Sequence, residues 1–246
     1  MPTATEPITQ ADWLDLVQTL PNASIDLFYT DPPFNTGKSQ SAAAGSYDDS
    51  WPSTADWLDW FRVRITATLP KLKPTANILI HTDWRTTHHV RLLLDQLLGE
   101  DRFVNHLIWS YGLGGSSPRR FARKHDDILF YCIHPDRYYF APPMIPATSN
   151  RMKGQLKKAT DILDIPSLNN MASERTGYPT QKPLALLKLL VGACSPEGGT
   201  VLDPCCGSGT TLVAAQQLNR IPIGSDQNAQ AVTIASTRLQ AGPTPK

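Results

Sequence analysis

The chain has 246 residues, 41% hydrophobic and 18% charged, enough for one substantial domain with a buried core and too mixed for a repeat array or a disordered tail. Lys and Arg number 23 against 22 Asp and Glu, and a net charge of +1 taken as a sum argues against a strongly basic nucleic-acid binder. The distribution reads differently: residues 1–101 carry 7 basic and 13 acidic side chains, residues 102–158 carry 10 and 3, and residues 159–246 carry 6 and 6, so the total hides a cationic middle.

Thr9-Gln-Ala-Asp12 has capping-box spacing, and Trp13, Leu16, Val17 and Leu20 recur on one helical face, which predicts a first helix ending at Pro21. Ile25 to Tyr29 reads as a strand stopped by Asp31-Pro-Pro-Phe34, and the polar, Gly- and Ser-containing residues 35–50 as a mobile loop. A Trp-rich helix over roughly 54–69, a strand at Ile78–Ile80 and a Leu-patterned helix over 85–98 follow. Val104–Ser110 and Asp127–Ile133 read as strands separated by a glycine loop, 112–117, and the basic run Arg119 to His125. Residues 141–179 have many prolines, weak periodicity and a second basic run, Arg151 to Lys158, and are expected to form an insert within a single domain spanning 1–246.

The last third alternates regularly. Pro183 suits the first turn of a helix carrying Leu184, Leu187, Leu190 and Val191; strand 200–202, helix 210–218, strand 221–224 and helix 228–239 follow, and Ala241 to Lys246 reads as a disordered tail. This alternation predicts an α/β sheet with helices on both faces. Pro222 is an awkward residue for a strand. Met1 to Asp12 lacks a basic then apolar leader, and no stretch approaches the roughly 20 apolar residues of a membrane span, so a cytoplasmic protein is expected. Cys132, Cys194, Cys205 and Cys206 lack C-x-x-C spacing and are expected to be reduced, and the six histidines show no ligand spacing, so no metal is expected.

Two motifs carry chemistry. In Val201-Leu-Asp-Pro-Cys-Cys-Gly-Ser-Gly-Thr210 a strand ends in a carboxylate, a two-glycine turn lets backbone approach a ligand, and a helix begins. Asp226, 17 residues past Gly209 at the end of the next strand, is placed to accept ribose hydroxyls. Leu212 stands where a dinucleotide fingerprint needs a third glycine, and the Gly-Lys-Ser/Thr of a phosphate loop is missing, so the turn suits a nucleoside cofactor without pyrophosphate. In Asp31-Pro-Pro-Phe34 two prolines remove N–H donors and stiffen the chain, leaving the Asp31 carboxylate and the Pro32 carbonyl as acceptors beside an aromatic face, a set that grips a planar exocyclic amine. Phe34 would stack on an extruded base.

In this order the two motifs resemble those of S-adenosylmethionine-dependent DNA amino-methyltransferases, in particular the permuted (beta) class whose D-P-P-Y/F motif precedes the cofactor motif, here by about 170 residues. Tyr178-Pro-Thr-Gln-Lys-Pro183 resembles the family's T-x-K-P element, and Arg123 to Phe130 its strand behind the target-base pocket; the likeness covers roughly residues 25–239. It implies a doubly wound, mostly parallel Rossmann-like sheet with one reversed edge strand and the strands before Asp31 and Asp203 adjacent at the switch point. It implies S-adenosylmethionine as cofactor, held by Asp203, Cys205, Gly207, Ser208, Gly209, Thr210 and Asp226, with Thr180, Gln181 and Lys182 at its methionine end. Asp31, Pro32, Pro33 and Phe34 would form the catalytic segment. Cys205 departs from the family pattern, which has Phe there.

Double-stranded DNA is the implied partner, met through Arg119, Arg120, Arg123, Lys124, Arg151, Lys153, Lys157 and Lys158, with loop 112–117 and the insert 141–179 sharing target recognition. A homodimer, a cognate restriction endonuclease not required for activity, and residence on the nucleoid fit the same resemblance. Asp at position 31 is more usual in adenine-N6 enzymes of this class and Ser in cytosine-N4 enzymes, so adenine N6 is expected and cytosine N4 is the alternative. RNA- or protein-directed transfer is more distant, because in those enzymes the glycine motif usually comes first.

Overall fold

The computed structural model describes residues 6–42, 44–112, 116–147, 150–169 and 171–242. Residues 113–115 of the glycine loop, residues 148, 149 and 170 of the expected insert, and residues 243–246 of the expected tail lie outside the described set.

Strand β1 (Ile8–Gln10) and helix α1 (Trp13–Thr19) lead into β2 (Ile25–Thr30), the hairpin strands β3 (Lys38–Ala42) and β4 (Gly45–Asp49), helix α2 (Thr54–Thr68), β5 (Leu72–Thr82), α3 (Thr87–Leu98), β6 (Phe103–Ser110) and β7 (His125–Cys132). Short strands β8 (Met144–Pro146), β9 (Leu156–Lys158) and β10 (Ile162–Asp164) precede α4 (Leu184–Cys194), β11 (Thr200–Asp203), α5 (Thr210–Gln217), β12 (Ile221–Asp226) and α6 (Ala229–Gln240). The main sheet has eight strands in the order β1-β12-β11-β2-β5-β7-β6-β10. All neighbours pair in parallel except β7, which is antiparallel to both β5 and β6.

The one reversed strand is therefore interior, two places in from the β10 edge, and not at the edge as expected. The connection from β6 to β7, residues 111–124, carries no helix among its described residues, so the chain turns back antiparallel beside β6, and β7 fills the place between β6 and β5 while β10 extends the sheet beyond β6. Of the segment 141–179, β8 and β9 form a separate hairpin while β10 belongs to the main sheet.

Every residue of β2 is buried, as a strand covered on both faces must be. Alternation sorts its side chains. Phe28, Ile78, Ile80, Leu129 and Tyr131 face α1, α2 and α3, where they pack with Trp13, Trp57, Phe61 and Leu94. Leu27, Tyr29, Leu79, Ile128 and Phe130 face the other way, against Leu186, Leu187, Leu190 and Ala214 of α4 and α5. Pro222 is tolerated in β12 because the register with β1 starts at Ile8↔Gly224, so among the described residues no strand partner lies on the side where its missing N–H would point.

Three local readings change. Asp12, whose carboxylate accepts from Leu14 N at 2.8 Å, is the N-cap of α1, whereas Thr9 lies in β1 because burial of Ile8 against the sheet favours an extended chain there. Where a mobile loop is expected over 35–50, β3 and β4 form a five-pair antiparallel ladder across residues 38–42 and 45–49. The helix start at Pro183 is an N-cap one residue before Leu184.

Candidate active site

Parallel strands deliver their carboxyl ends to one edge of the sheet. The switch point lies between β11 and β2, which are hydrogen-bonded neighbours, so Asp31 and Asp203 emerge side by side and Asp226 follows from β12. All three carboxylates line one cleft of about 480 Å³, together with Pro33, Thr180, Gln181, Lys182, Cys205, Gly207, Ser208 and Thr210. Most of the sequence-predicted catalytic and cofactor residues thus meet in one place.

The turn between β11 and α5 is held from below. Asp226 Oδ2 accepts from Gly207 N at 2.9 Å and its Oδ1 from Asn228 N at 2.9 Å, while Asp203 Oδ1 accepts from Cys205 N at 3.2 Å. Gly207 has φ +51°, and a Cβ there would sit 3.2 Å from the Tyr178 ring. Gly209 does not line the cleft: with φ +77° it faces α6, where an added Cβ would lie 2.6 Å from Ala235 Cβ. Its role is to let two helices touch. Arg238 completes the turn by donating Nη1 to the Ser208 carbonyl at 2.7 Å and to Thr210 Oγ1 at 3.0 Å. This half-buried arginine was missed from sequence; the available signal was a single long cation beside the buried Ala231, Ala235 and Leu239 spacing of α6. Burial pushes the Cys205 and Cys206 thiols well up, and Cys205, in place of the family's Phe, packs against the core on the α1–α3 face.

The Asp31-Pro-Pro-Phe34 segment is also pinned. Trp57 Nε1 donates to the Pro33 carbonyl at 2.8 Å, and no donor occupies the carbonyl of the buried Pro32 among the described residues. Beyond Phe34, Asn35 N donates to Asp49 Oδ1 at 2.7 Å and Thr36 Oγ1 to Asp49 Oδ2 at 2.6 Å, so the β3–β4 hairpin clamps the segment. Lys182 Nζ donates to Asp31 Oδ2 at 2.5 Å, with side-chain exposures of only 11% and 19%. Asp31 Oδ1 is buried and has no hydrogen-bond partner among the described residues. Gln181 behaves differently from Lys182: its Oε1 accepts from Thr176 N and Oγ1, both at 2.8 Å, and its Nε2 donates to the Glu174 carbonyl at 2.7 Å, so its amide is spent on folding its own loop. Thr180 is exposed, with φ +57°.

Behind Phe34 lies a buried polar chain. The fully buried His81 ring lies near-parallel to Phe34 with centroids 6.1 Å apart; its Nδ1 is 3.1 Å from Tyr29 Oη and its Nε2 3.2 Å from Asp126 Oδ2. A neutral imidazole protonated on Nε2 satisfies both partners, accepting from the tyrosine and donating to the carboxylate. Tyr111 Oη donates to Asp126 Oδ1 at 3.2 Å, tying the start of the β6–β7 loop to this network. The Lys182 ammonium stands 5.6 Å from the centre of the Phe34 ring, so the aromatic side chain is bordered by both His81 and the cation that meets Asp31.

The residues present fit S-adenosylmethionine. Burial pushes the Asp203 carboxyl from its ordinary 3.8 up to about 7, helped by the charges of Asp31 and Asp226, and burial likewise raises Asp226. Such a carboxylate is stabilised by a cationic ligand, and the aromatic walls of Trp13, Trp51 and Trp60 offer apolar surface to an adenine ring. A carboxyl whose folded pKa lies above its unfolded value contributes stability that is full below pH 3.8 and is lost as pH rises through 7, a loss of roughly 4 kcal/mol. Ligand-free Asp203→Asn is therefore expected to melt above the parent at pH 8 and to lose more than half of that advantage by pH 5, while binding S-adenosylmethionine more weakly. Melting curves at the two pH values check this, and an equal advantage at both would contradict it.

Arg119, Arg120 and Arg123 are exposed on the β6–β7 loop, and Arg151, Lys153 and Lys158 on or beside the β8–β9 hairpin; Lys124 and Lys157 are half-buried. None of these basic side chains lines the cleft.

Residues 25–237 match the DNA methylase family N6_N4_Mtase. The chain is 31% identical over 231 residues to the type II methyltransferase M.HpaI of Haemophilus parainfluenzae, covering 92% of this chain and 71% of that one. It is 28% identical to M.ScaI of Streptomyces caespitosus, covering 94% and 80%, and 25% identical to the DNA adenine methyltransferase YhdJ of Escherichia coli K12, covering 94% and 82%. Among solved structures it is similar to the cytosine-N4-specific PvuII DNA methyltransferase (TM-score 0.70, 16% identity, 94% and 85% covered). It is also similar to a DNA modification methylase of Thermus thermophilus in complex with S-adenosyl-L-methionine (TM-score 0.68, 20% identity, 98% and 96% covered). With its carboxylates gathered where two such motifs meet, the chain belongs to the N6/N4 DNA methylase family and is an S-adenosylmethionine-dependent DNA amino-methyltransferase.

Proposed function

We propose that the enzyme methylates the N6 amino group of an adenine at a specific double-stranded DNA sequence, with Asp31 as the residue that holds the reacting amine and with the motif order of the permuted class. The observation that carries this is residue 31 itself: a carboxylate, with Oδ2 held by Lys182 and Oδ1 buried and without a donor. The relative named a DNA adenine methyltransferase supports adenine over cytosine N4.

An aromatic amine is a weak nucleophile because its lone pair is shared with the ring. Asp31 Oδ1 and the Pro32 carbonyl accept its two hydrogens and draw the nitrogen toward a pyramidal shape. Phe34 stacks on the base, and Trp57 and Asp49 keep the segment from yielding. When bound, S-adenosylmethionine supplies an electrophilic methyl group, and Asp203, Asp226 and the Gly207 turn hold it on the other side of the β11–β2 boundary. The gain is chiefly one of alignment in a closed cleft. Asp31 Oδ1 is placed to take the surplus proton as the new N–C bond forms.

The chain forms a single domain in this reading, with the 141–179 insert and loop 112–117 selecting the sequence. Arg119, Arg120, Arg123, Lys124, Arg151, Lys153, Lys157 and Lys158 neutralise phosphates. Among the described residues no helix is long and apolar enough to cross a membrane, and the enzyme works on the nucleoid, as a homodimer, with a cognate endonuclease that methylation does not require. Methylating DNA with labelled donor, digesting it to deoxynucleosides and identifying the labelled one by mass tests the target: N6-methyl-2′-deoxyadenosine is expected, and N4-methyl-2′-deoxycytidine would overturn adenine while leaving the chemistry intact.

A further inference from the structure

Taking a base out of a duplex leaves a gap in the stack, and apolar side chains can enter a base stack, as when architectural proteins wedge Phe, Leu or Met between base steps. Phe121 has the form of one. It is 97% exposed, so its ring gains nothing from its own protein. It sits in the run Arg119-Arg-Phe-Ala-Arg123, with exposed arginines on both sides.

Three observations place this ring on the DNA side of the active site. The β6–β7 loop leaves from the carboxyl end of β6, a strand parallel to β5 and β2, and so stands at the same sheet edge as Asp31. Its stem is fixed: Tyr111 N donates to the Lys124 carbonyl at 3.1 Å, Tyr111 Oη to Asp126, and Asp126 meets the His81 that backs Phe34. Beside that stem Arg123 lies with its guanidinium 3.3 Å over Trp84, a residue just past the end of β5; Arg85 stacks on the same ring at 4.9 Å, and Arg120 and Arg85 crowd Arg123 with like charge. An aromatic with no packing partner, inside a cationic arch rooted in the base pocket, complements a polyanion with stacked rings.

We propose that Phe121 is the side chain that enters the DNA duplex at the target and occupies the space the extruded base leaves, while the arginines around it hold the flanking phosphates. This rests on the reading of the site as one that takes a flipped base. Phe121 is a positioning residue here: it touches neither the amine nor the cofactor.

The test uses the full-length enzyme and a duplex carrying its methylated sequence, mapped first on bacterial DNA. Single-turnover methyl transfer is measured for the parent, Phe121→Ala and Phe121→Trp, on the paired duplex and on one whose target base faces a mismatch and is already unstacked. Phe121→Ala is expected to be about 10- to 100-fold slower on the paired duplex, to recover to within a few-fold of the parent on the mismatch, and to keep S-adenosylmethionine affinity and melting temperature; Phe121→Trp should stay near the parent. Parental rates for Phe121→Ala on the paired duplex, or equal slowing on both duplexes, would overturn the proposal. If the parent itself transfers no methyl to any DNA, the underlying reading fails too, and that outcome is visible without any variant.

Discussion

Asp31→Ala is expected to slow methyl transfer by about a thousandfold or more while leaving S-adenosylmethionine binding within a few-fold of the parent. In the proposed reading the carboxylate meets the amine through Oδ1, which has no hydrogen-bond partner among the described residues. The same change strands Lys182, whose side chain is only 11% exposed and whose charge is met at 2.5 Å by Asp31 Oδ2. An uncompensated, mostly buried cation costs stability, here about 1–3 kcal/mol, discounted from a fully buried pair for the water that still reaches it. Lys182→Met in the Asp31→Ala background should restore the melting temperature and not the activity. Asp31→Ala retaining a tenth of the parental rate would remove the carboxylate from the mechanism; recovery of activity in the double variant would show that the loss came from misfolding.

The largest expected effect on the fold falls on Gly209. A Cβ at this position would lie 2.6 Å from Ala235 Cβ and 3.1 Å from Ala235 Cα, and the backbone is left-handed at φ +77°. Overpacking and strain together put Gly209→Ala at about 2–4 kcal/mol of destabilisation. Since Gly209 caps α5 and follows the Ser208 carbonyl that Arg238 holds, a shift there also moves the cofactor turn, and S-adenosylmethionine affinity should fall with stability. Ala235→Gly removes the obstructing methyl, so the double variant should regain much of the loss relative to the Gly209→Ala single, seen by chemical denaturation as a favourable coupling. Gly209→Ala as stable as the parent would show that α6 yields at no cost.

Much of this site was legible because its chemistry is contiguous in sequence. Asp31-Pro-Pro-Phe34 and Asp203 to Thr210 each carry their acceptors, turn and strand end within a few residues, and the apolar runs on either side name the sheet that presents them. What escaped depends on partners far along the chain. The β3–β4 hairpin has no alternating apolar pattern, being Lys-Ser-Gln-Ser-Ala against Gly-Ser-Tyr-Asp-Asp, and is held by the Asp49 carboxylate instead of by burial. The family motif placed Gln181 and Lys182 together at one end of the cofactor; folding turns one inward to its own loop and the other onto Asp31, 151 residues away. The interior position of the reversed strand depended on β7 docking between β5 and β6, a choice of neighbours that its own apolar run does not announce.

The pairing of β1 with β12 has a topological consequence. Among the described residues the first strand is the neighbour of the last, so the path through the sheet is close to a ring: outward from β2 to β10, back through β11 and β12, and round to β1. On a ring, precedence in the gene is only a matter of where the circle is cut. Joining the ends and opening the connection between the catalytic and cofactor halves would exchange the order of the two motifs without moving one carboxylate of the site.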